Sequence, residues 1–355
     1  MANNYKKQLE DLLSEAVKQD ASDLHLSVGQ KPTLRVDGSL MPLEKEAVLG
    51  SEEAEGLIFA LLDPSQKDLF LKEKQLDFAY DFENQARFRV NAYYQRGCVA
   101  AALRLVPRKV KSIEELGLPP VLRNFAKLAQ GFVLAVGPAG QGKSTTLATI
   151  LDEINRQRSD HIITIEDPIE FLFEPEKCLI SQREVGLDTH SFHDALKSVL
   201  RQDPDVIMIG EMRDAESIAA ALTAAETGHL VFSTLHTNSA SQTIDRIVDS
   251  FPPNQQPQII SQLASALVGI VSKRLVPKIG GGRLPACEIM FVNAAIRNLI
   301  REKKFYQIDA VIETSGKDGM ISLNRSLGEM IKKKQVTLEN AELHSLNPKE
   351  LKLLL

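Results

Sequence analysis

The chain has 355 residues, of which 43% are hydrophobic and 25% charged, and it carries a formal net charge of −5. That length predicts two or three domains, each able to bury a core, and the acidic balance speaks against a dedicated nucleic-acid binder, which usually shows a basic excess. No apolar run approaches the ~20 residues needed to span a bilayer, and Met1-Ala-Asn-Asn-Tyr-Lys-Lys7 has no apolar signal core, so a cytoplasmic protein is expected.

In chain order, residues 1–20 read as an amphipathic helix with Leu9, Leu12, Leu13, Ala16 and Val17 on one face. Segments 23–28 and 33–36 alternate apolar with polar, as strands do. A turn at 29–32 separates them, and Asp37-Gly38 makes another. Helix returns over 51–74. Segments 75–82, 86–93 and 99–106 are further strands. These elements form an α+β domain over residues 1–105. A linker over 106–120 follows, with Pro107, Lys109 and Lys111, and the second domain is expected over 121–355. There the grammar changes: apolar strands at 132–136, 161–165, 205–209 and 230–234 alternate with helices, which predicts a mostly parallel sheet covered on both faces. Segments 256–275 and 293–304 read as mostly helical, and 305–355 as helical with a solvated Lys332-Lys-Lys334 run.

Cys98, Cys178 and Cys287 are odd in number and far apart, so neither a disulfide framework nor a zinc ribbon is indicated. They read as buried small hydrophobes. His190-Ser-Phe-His193 reads as a helix start rather than a metal site, since no further ligand cluster accompanies it.

The chemistry concentrates at Gly137, Pro138, Ala139, Gly140, Gln141, Gly142, Lys143, Ser144 and Thr145, which fit the phosphate-loop pattern G-x-x-x-x-G-K-[ST]. A strand precedes the loop and a helix follows it. Glycines let successive backbone N–H groups turn toward phosphate oxygens, and the helix N-terminus adds partial positive charge. Lys143 is placed to reach β- and γ-phosphates, and the Ser144 hydroxyl to hold Mg²⁺, so ATP and Mg²⁺ are the expected cofactors. The strand 205–209 ends in Gly210-Glu211. The acid that many phosphate-loop ATPases place at the first position is absent, leaving Glu211 to orient the attacking water. Strand 162–165 ends in Glu166-Asp167, adjacent acids of which one faces the crevice. His229 and His236 flank the strand 230–234. On residue chemistry alone each is more often a hydrogen-bonded structural histidine.

Together these elements resemble the secretion ATPase superfamily, and within it the PilT-type retraction ATPases of type IV pili. The motifs are the phosphate loop, Thr164–Phe171, Arg201–Asp214 and Thr227–Asn238, with Ser22–His25 and Val36–Gly38 near the N-terminus. Ala295–Glu302 resembles the C-terminal motif of retraction motors. The resemblance implies a PAS-like N-terminal domain and a RecA-like ATPase domain with a helical C-terminal region. It also implies a homohexamer with ATP bound between the two domains of one chain. By likeness Glu211 is the catalytic glutamate, Glu166 belongs to the Asp box, and His229 and His236 belong to the His box. Arg89 and Arg104 are expected to swing onto the phosphates, with Arg201 contributing. Arg87 and Arg96 are left as surface ion pairs. The implied partners are an inner-membrane pilus platform protein and, indirectly, pilin. Location at the inner face of the cytoplasmic membrane follows. The lack of a four-cysteine metal site favours retraction over extension. A DNA-translocating ATPase is the alternative from another class, disfavoured by the acidic balance and the lack of aromatic–basic clusters.

Overall fold

Strict alternation over residues 86–92 gives the first sheet its two faces. In the computed structural model Ala86, Phe88, Val90 and Ala92 are buried, while Arg87, Arg89 and Asn91 project from the other side. Residues 2–36, 38–82, 86–106 and 110–355 are described. Asp37 of the expected turn and Pro107 and Lys109 of the expected linker lie outside the described residues. The chain divides into two units, Met1–Lys109 with Glu170–Leu172, and Val110–Ile169 with Phe173–Leu355.

The first unit contains α1 (Ala2–Lys18), β1 (Asp23–Ser27), β2 (Thr33–Val36), β3 (Ser39–Pro42), α2 (Ser51–Phe59), α3 (Pro64–Glu73), β4 (Gln75–Phe82), β5 (Ala86–Gln95) and β6 (Cys98–Val106). The expected helix at 51–74 is thus two helices. Asp63 ends the link between them by capping α3, its carboxylate accepting from the Gln66 N–H while Gln66 reaches back to the Asp63 N–H. The strands form an antiparallel sheet in the order β3-β2-β1-β6-β5-β4. Leu9, Leu12, Leu13 and Ala16 of α1 join Phe88, Val90 and Leu103 in one core. On the opposite face, register lines up Arg35, Asp23, Arg104 and Arg89 across four strands.

The second unit contains α4 (Arg123–Ala126), β7 (Gly131–Val136), α5 (Lys143–Gln157), β8 (His161–Glu166), β9 (Leu179–Glu184), α6 (Phe192–Val199), β10 (Val206–Ile209), α7 (Ala215–Glu226), β11 (Leu230–Leu235), α8 (Ala240–Asp249), α9 (Gln256–Ala266), β12 (Leu267–Pro277), β13 (Arg283–Phe291), α10 (Ala294–Arg301), α11 (Ile308–Thr314), α12 (Leu323–Lys332), α13 (Leu338–His344) and α14 (Pro348–Leu353). The sheet order is β13-β12-β7-β11-β10-β8-β9, parallel throughout except for β13. Every residue of β7, β10 and β11 is buried, because helices cover both faces.

The expected helix over 256–275 is corrected. Helix ends at Ala266, and 267–277 is strand β12, inserted between β7 and β13. An apolar stretch that suits either period is decided here by tertiary pairing. Gly269 marks that insertion: a Cβ there would meet the Phe125 ring at 2.3 Å and the Met290 carbonyl oxygen at 2.9 Å. Cys178 and Cys287 are buried and Cys98 is half-buried. His193 lies in the first turn of α6, which Ser191 caps. A smaller apolar cluster, including Leu323, Leu327, Val336 and Leu351, holds the C-terminal helices to β12 and β13. Lys332, Lys333 and Lys334 are exposed.

Candidate functional site

The loop between β7 and α5 is shaped by glycines at positive φ. Gly137 (143°), Gly140 (73°) and Gly142 (74°) take conformations that side-chain-bearing residues rarely adopt. Gly142 is the N-cap of α5, so the helix opens directly from the loop with its first N–H groups unpaired by the helix itself. Gly140 has open space where a Cβ would lie. Gln141 turns away from the loop interior, its Oε1 accepting from the Leu275 N–H at 2.6 Å.

Successive strands of the sheet each deliver one polar residue at their carboxyl ends: Lys143 after β7, His236 after β11, Glu211 after β10 and Glu166 on β8. The first three are bonded in that order. Lys143 Nζ donates to the carbonyl oxygens of Gly137 (2.9 Å) and Pro138 (3.1 Å) and lies 3.3 Å from His236 Nδ1. His236 Nε2 lies 3.2 Å from Glu211 Oε1. An ammonium can only donate and a carboxylate only accept, so the imidazole between them is the Nε2–H tautomer, with Nδ1 accepting from Lys143. The second Glu211 oxygen accepts from Arg213 at 3.1 Å, which raises the guanidinium pKa. Thr234 braces the same bend, its hydroxyl donating to the Gly210 carbonyl oxygen at 2.6 Å.

Glu166 is buried on the far side of Glu211. Its Oε1 accepts from the Thr164 hydroxyl at 2.7 Å and the Gln182 amide at 3.3 Å. Three strand spacings separate the ends of β7 and β8, roughly 14 Å, so within this chain Glu166 is remote from the phosphate loop. Ser144 and Thr145 are partly exposed at the start of α5. Their hydroxyls are of the kind a hard, oxygen-seeking cation takes.

Two expected site residues lie at the opposite edge of the sheet. His229 precedes β11 and sits beside Gly131, at the opposite end of the strands from the loop. Six residues of extended strand separate it from His236, and its Nδ1 pairs with the Ala224 carbonyl oxygen at 2.9 Å. Arg201 is exposed in the turn between α6 and β10, next to the strand starts, where Asp203 contacts His161. Parallel connections return each chain segment to that edge, so neither residue reaches its own chain's loop.

Arg89 and Arg104 belong to the first unit, directly opposite each other on β5 and β6. Arg104 Nε donates to Asp23 Oδ1 at 2.9 Å, and Arg35 lies 3.8 Å from the same carboxylate. Arg89 is exposed. Arg87 pairs with Asp81 at 3.4 Å. Sequence reasoning missed Arg213 and Lys273. The first directly follows the Glu211 motif, and its spacing of two residues was the available signal. The second falls in the stretch misread as helix.

The type II/IV secretion system protein family profile matches residues 2–323. The chain is 48% identical over 336 residues to the type IV pilus retraction ATPase PilT of Pseudomonas aeruginosa, covering 93% of this chain and 96% of that protein. It is 42% identical over 317 residues to a twitching motility protein of Neisseria gonorrhoeae, covering 89% and 84%. A crystal structure of the pilus retraction motor PilT with bound ADP superimposes with a TM-score of 0.91 at 46% identity, covering 97% of this chain and 98% of that one.

Proposed function

Because the chain belongs to the type II/IV secretion system protein family, we propose that it is an ATP-hydrolysing motor that drives type IV pilus retraction as a ring of six copies. The observation that carries the hydrolytic part is the bonded series Lys143–His236–Glu211 along the carboxyl edge of the sheet, beside a glycine loop at a helix start, and the likeness to PilT supports the retraction part.

The loop fits a triphosphate. Its glycines open the backbone, the start of α5 offers N–H donors, and Lys143 exchanges two carbonyl acceptors for phosphate oxygens. The Ser144 hydroxyl would hold Mg²⁺ at the start of α5, where the ion would supply charge neutralisation for the phosphates. Glu211 orients the water that attacks the γ-phosphate and accepts its proton, leaving ADP and phosphate. His236 bonds both Lys143 and Glu211, so a change at the phosphates is passed to the water-positioning acid through one imidazole. Glu166 supports the strand end one place further out and holds no ligand directly.

Arg89 and Arg104 supply guanidinium charge to the transferred phosphoryl group. For Arg104 this requires exchanging Asp23 for phosphate, so Asp23 acts as its parking partner. Arg201 and His229 have no role at their own chain's phosphates. The motor works at the cytoplasmic face of the inner membrane through a pilus platform protein, and through it on pilin. No helix among the described residues is long and apolar enough to cross a membrane, which suits attachment through such a partner. Deleting the gene in its host and counting surface pili while scoring twitching tests this directly. Over-piliated, non-twitching cells are expected. Cells without pili would assign extension instead.

A further inference from the structure

A second lysine stands behind the phosphate loop. β12 runs parallel to β7 with Ser272 beside Val136, so Lys273 flanks Gly137. The approach is close: a Cβ on Gly137 would come within 2.5 Å of the Lys273 carbonyl oxygen. The Lys273 side chain continues to the other end of the loop. Its Nζ donates to the Gly142 carbonyl oxygen at 3.1 Å and to Thr146 Oγ1 at 3.0 Å. A Cβ on Gly142 would lie 2.9 Å from that ammonium, so the missing side chain makes its room. The Gly142 carbonyl oxygen also accepts from the Thr146 N–H and hydroxyl. Two residues on, the Leu275 N–H holds Gln141. Alternate residues of one strand therefore grip consecutive residues of the loop.

The environment of this lysine lacks an anion. Lys273 is 4% exposed. Both of its bonded oxygens are neutral, and among the described residues no carboxylate lies within ion-pair distance. Its cross-strand neighbour Cys287 is fully buried with its thiol pushed up to about 11, so it stays protonated and offers no counter-charge. Burial lowers the Lys273 pKa accordingly. Buried charges in proteins are ordinarily paired, because an unpaired one is costly. The group this loop is shaped to take is a polyanion.

We propose that Lys273 is a positioning residue of the nucleotide site: its ammonium holds the Gly142 turn in phosphate-binding shape, and its buried positive charge is balanced by the phosphates of the bound nucleotide. This rests on the phosphate-loop reading above. It predicts that Lys273 acts on the phosphate part of the ligand and not on the nucleoside.

The test measures binding of ATP and of adenosine to the full chain, wild type and three variants, with folding checked by thermal melting. Lys273→Met removes charge and donor. Lys273→Gln keeps a neutral donor on a side chain one bond shorter, and serves if the methionine variant does not fold. ATP binding is expected to weaken about tenfold or more in Lys273→Met and about threefold or more in Lys273→Gln, with adenosine binding unchanged in both. Unchanged ATP affinity in Lys273→Met overturns the proposal, as does an equal loss for ATP and adenosine. Wild-type ATP affinity in Lys273→Gln overturns the role of the charge. Failure of the underlying reading looks different: the wild type then does not bind ATP, or Lys143→Ala binds it as well as the wild type does.

Discussion

Glu288 shows how one buried side chain ties stability to the site. It is buried on β13, and its Oε1 accepts from the Ala240 N–H at 2.7 Å. Ala240 opens α8, immediately after the segment that carries His236, so this carboxyl anchors the far end of that segment. Burial raises its pKa from 4.5 to about 7, with the Ala240 N–H and Arg274 opposing and Asp309 adding to the rise. Between those values the folded chain holds a proton that the unfolded chain releases. Stability from this group is therefore present at low pH and is lost as pH rises through 7. The span is worth about 3 kcal/mol at most. Glu288→Gln keeps the acceptor and removes the charge. Chemical denaturation across pH should show the variant gaining on the wild type from about pH 4.5 to 7, with no further gain above. A constant difference across that range would remove Glu288 as the titrating group.

At the scale of elements, α10 separates what is core from what is available for contact. Ile296 and Ile300 are fully buried against the main core, and Arg297 Nε donates to the Ala264 carbonyl oxygen at 2.8 Å. Ala295, Asn298 and Arg301 are exposed. The stretch that resembles a retraction-motor motif therefore has a half that packs the core and an exposed half. Ile296→Ala should cost about 2–5 kcal/mol of stability, read by denaturation. An exposed Ala295→Ser change should stay within about 0.5 kcal/mol and leave phosphate release unchanged. If Ile296→Ala cost no stability, the helix would not be packed as described. Much of this architecture was legible in the sequence. Glycine punctuation and period-two strands marked the sheets, and the loop announced its own chemistry. β12 was not legible, because 267–277 becomes strand only by inserting between β7 and β13. His229 and Arg201 matched motif positions, although their places before β11 and before β10 already put them at the strand starts, away from the loop. The Lys143–His236–Glu211 series was invisible for a related reason: strand order, not sequence order, sets it.

For the whole molecule, the residues proposed for hydrolysis are divided between the two units. Glu211 and the glycine loop share one sheet edge in the second unit, while Arg89 and Arg104 sit on the sheet of the first. In the proposed motor, arginines carried by the first unit couple turnover to that unit, which is how chemistry becomes motion. All of this depends on Glu211 acting on water at a phosphate held by the loop. The most direct measurement is phosphate release at saturating ATP and Mg²⁺ by the purified wild type and Glu211→Gln, with ATP binding measured on the same samples. The variant should bind ATP with wild-type affinity yet release phosphate at least about tenfold more slowly. Equal rates for the two proteins would contradict the account.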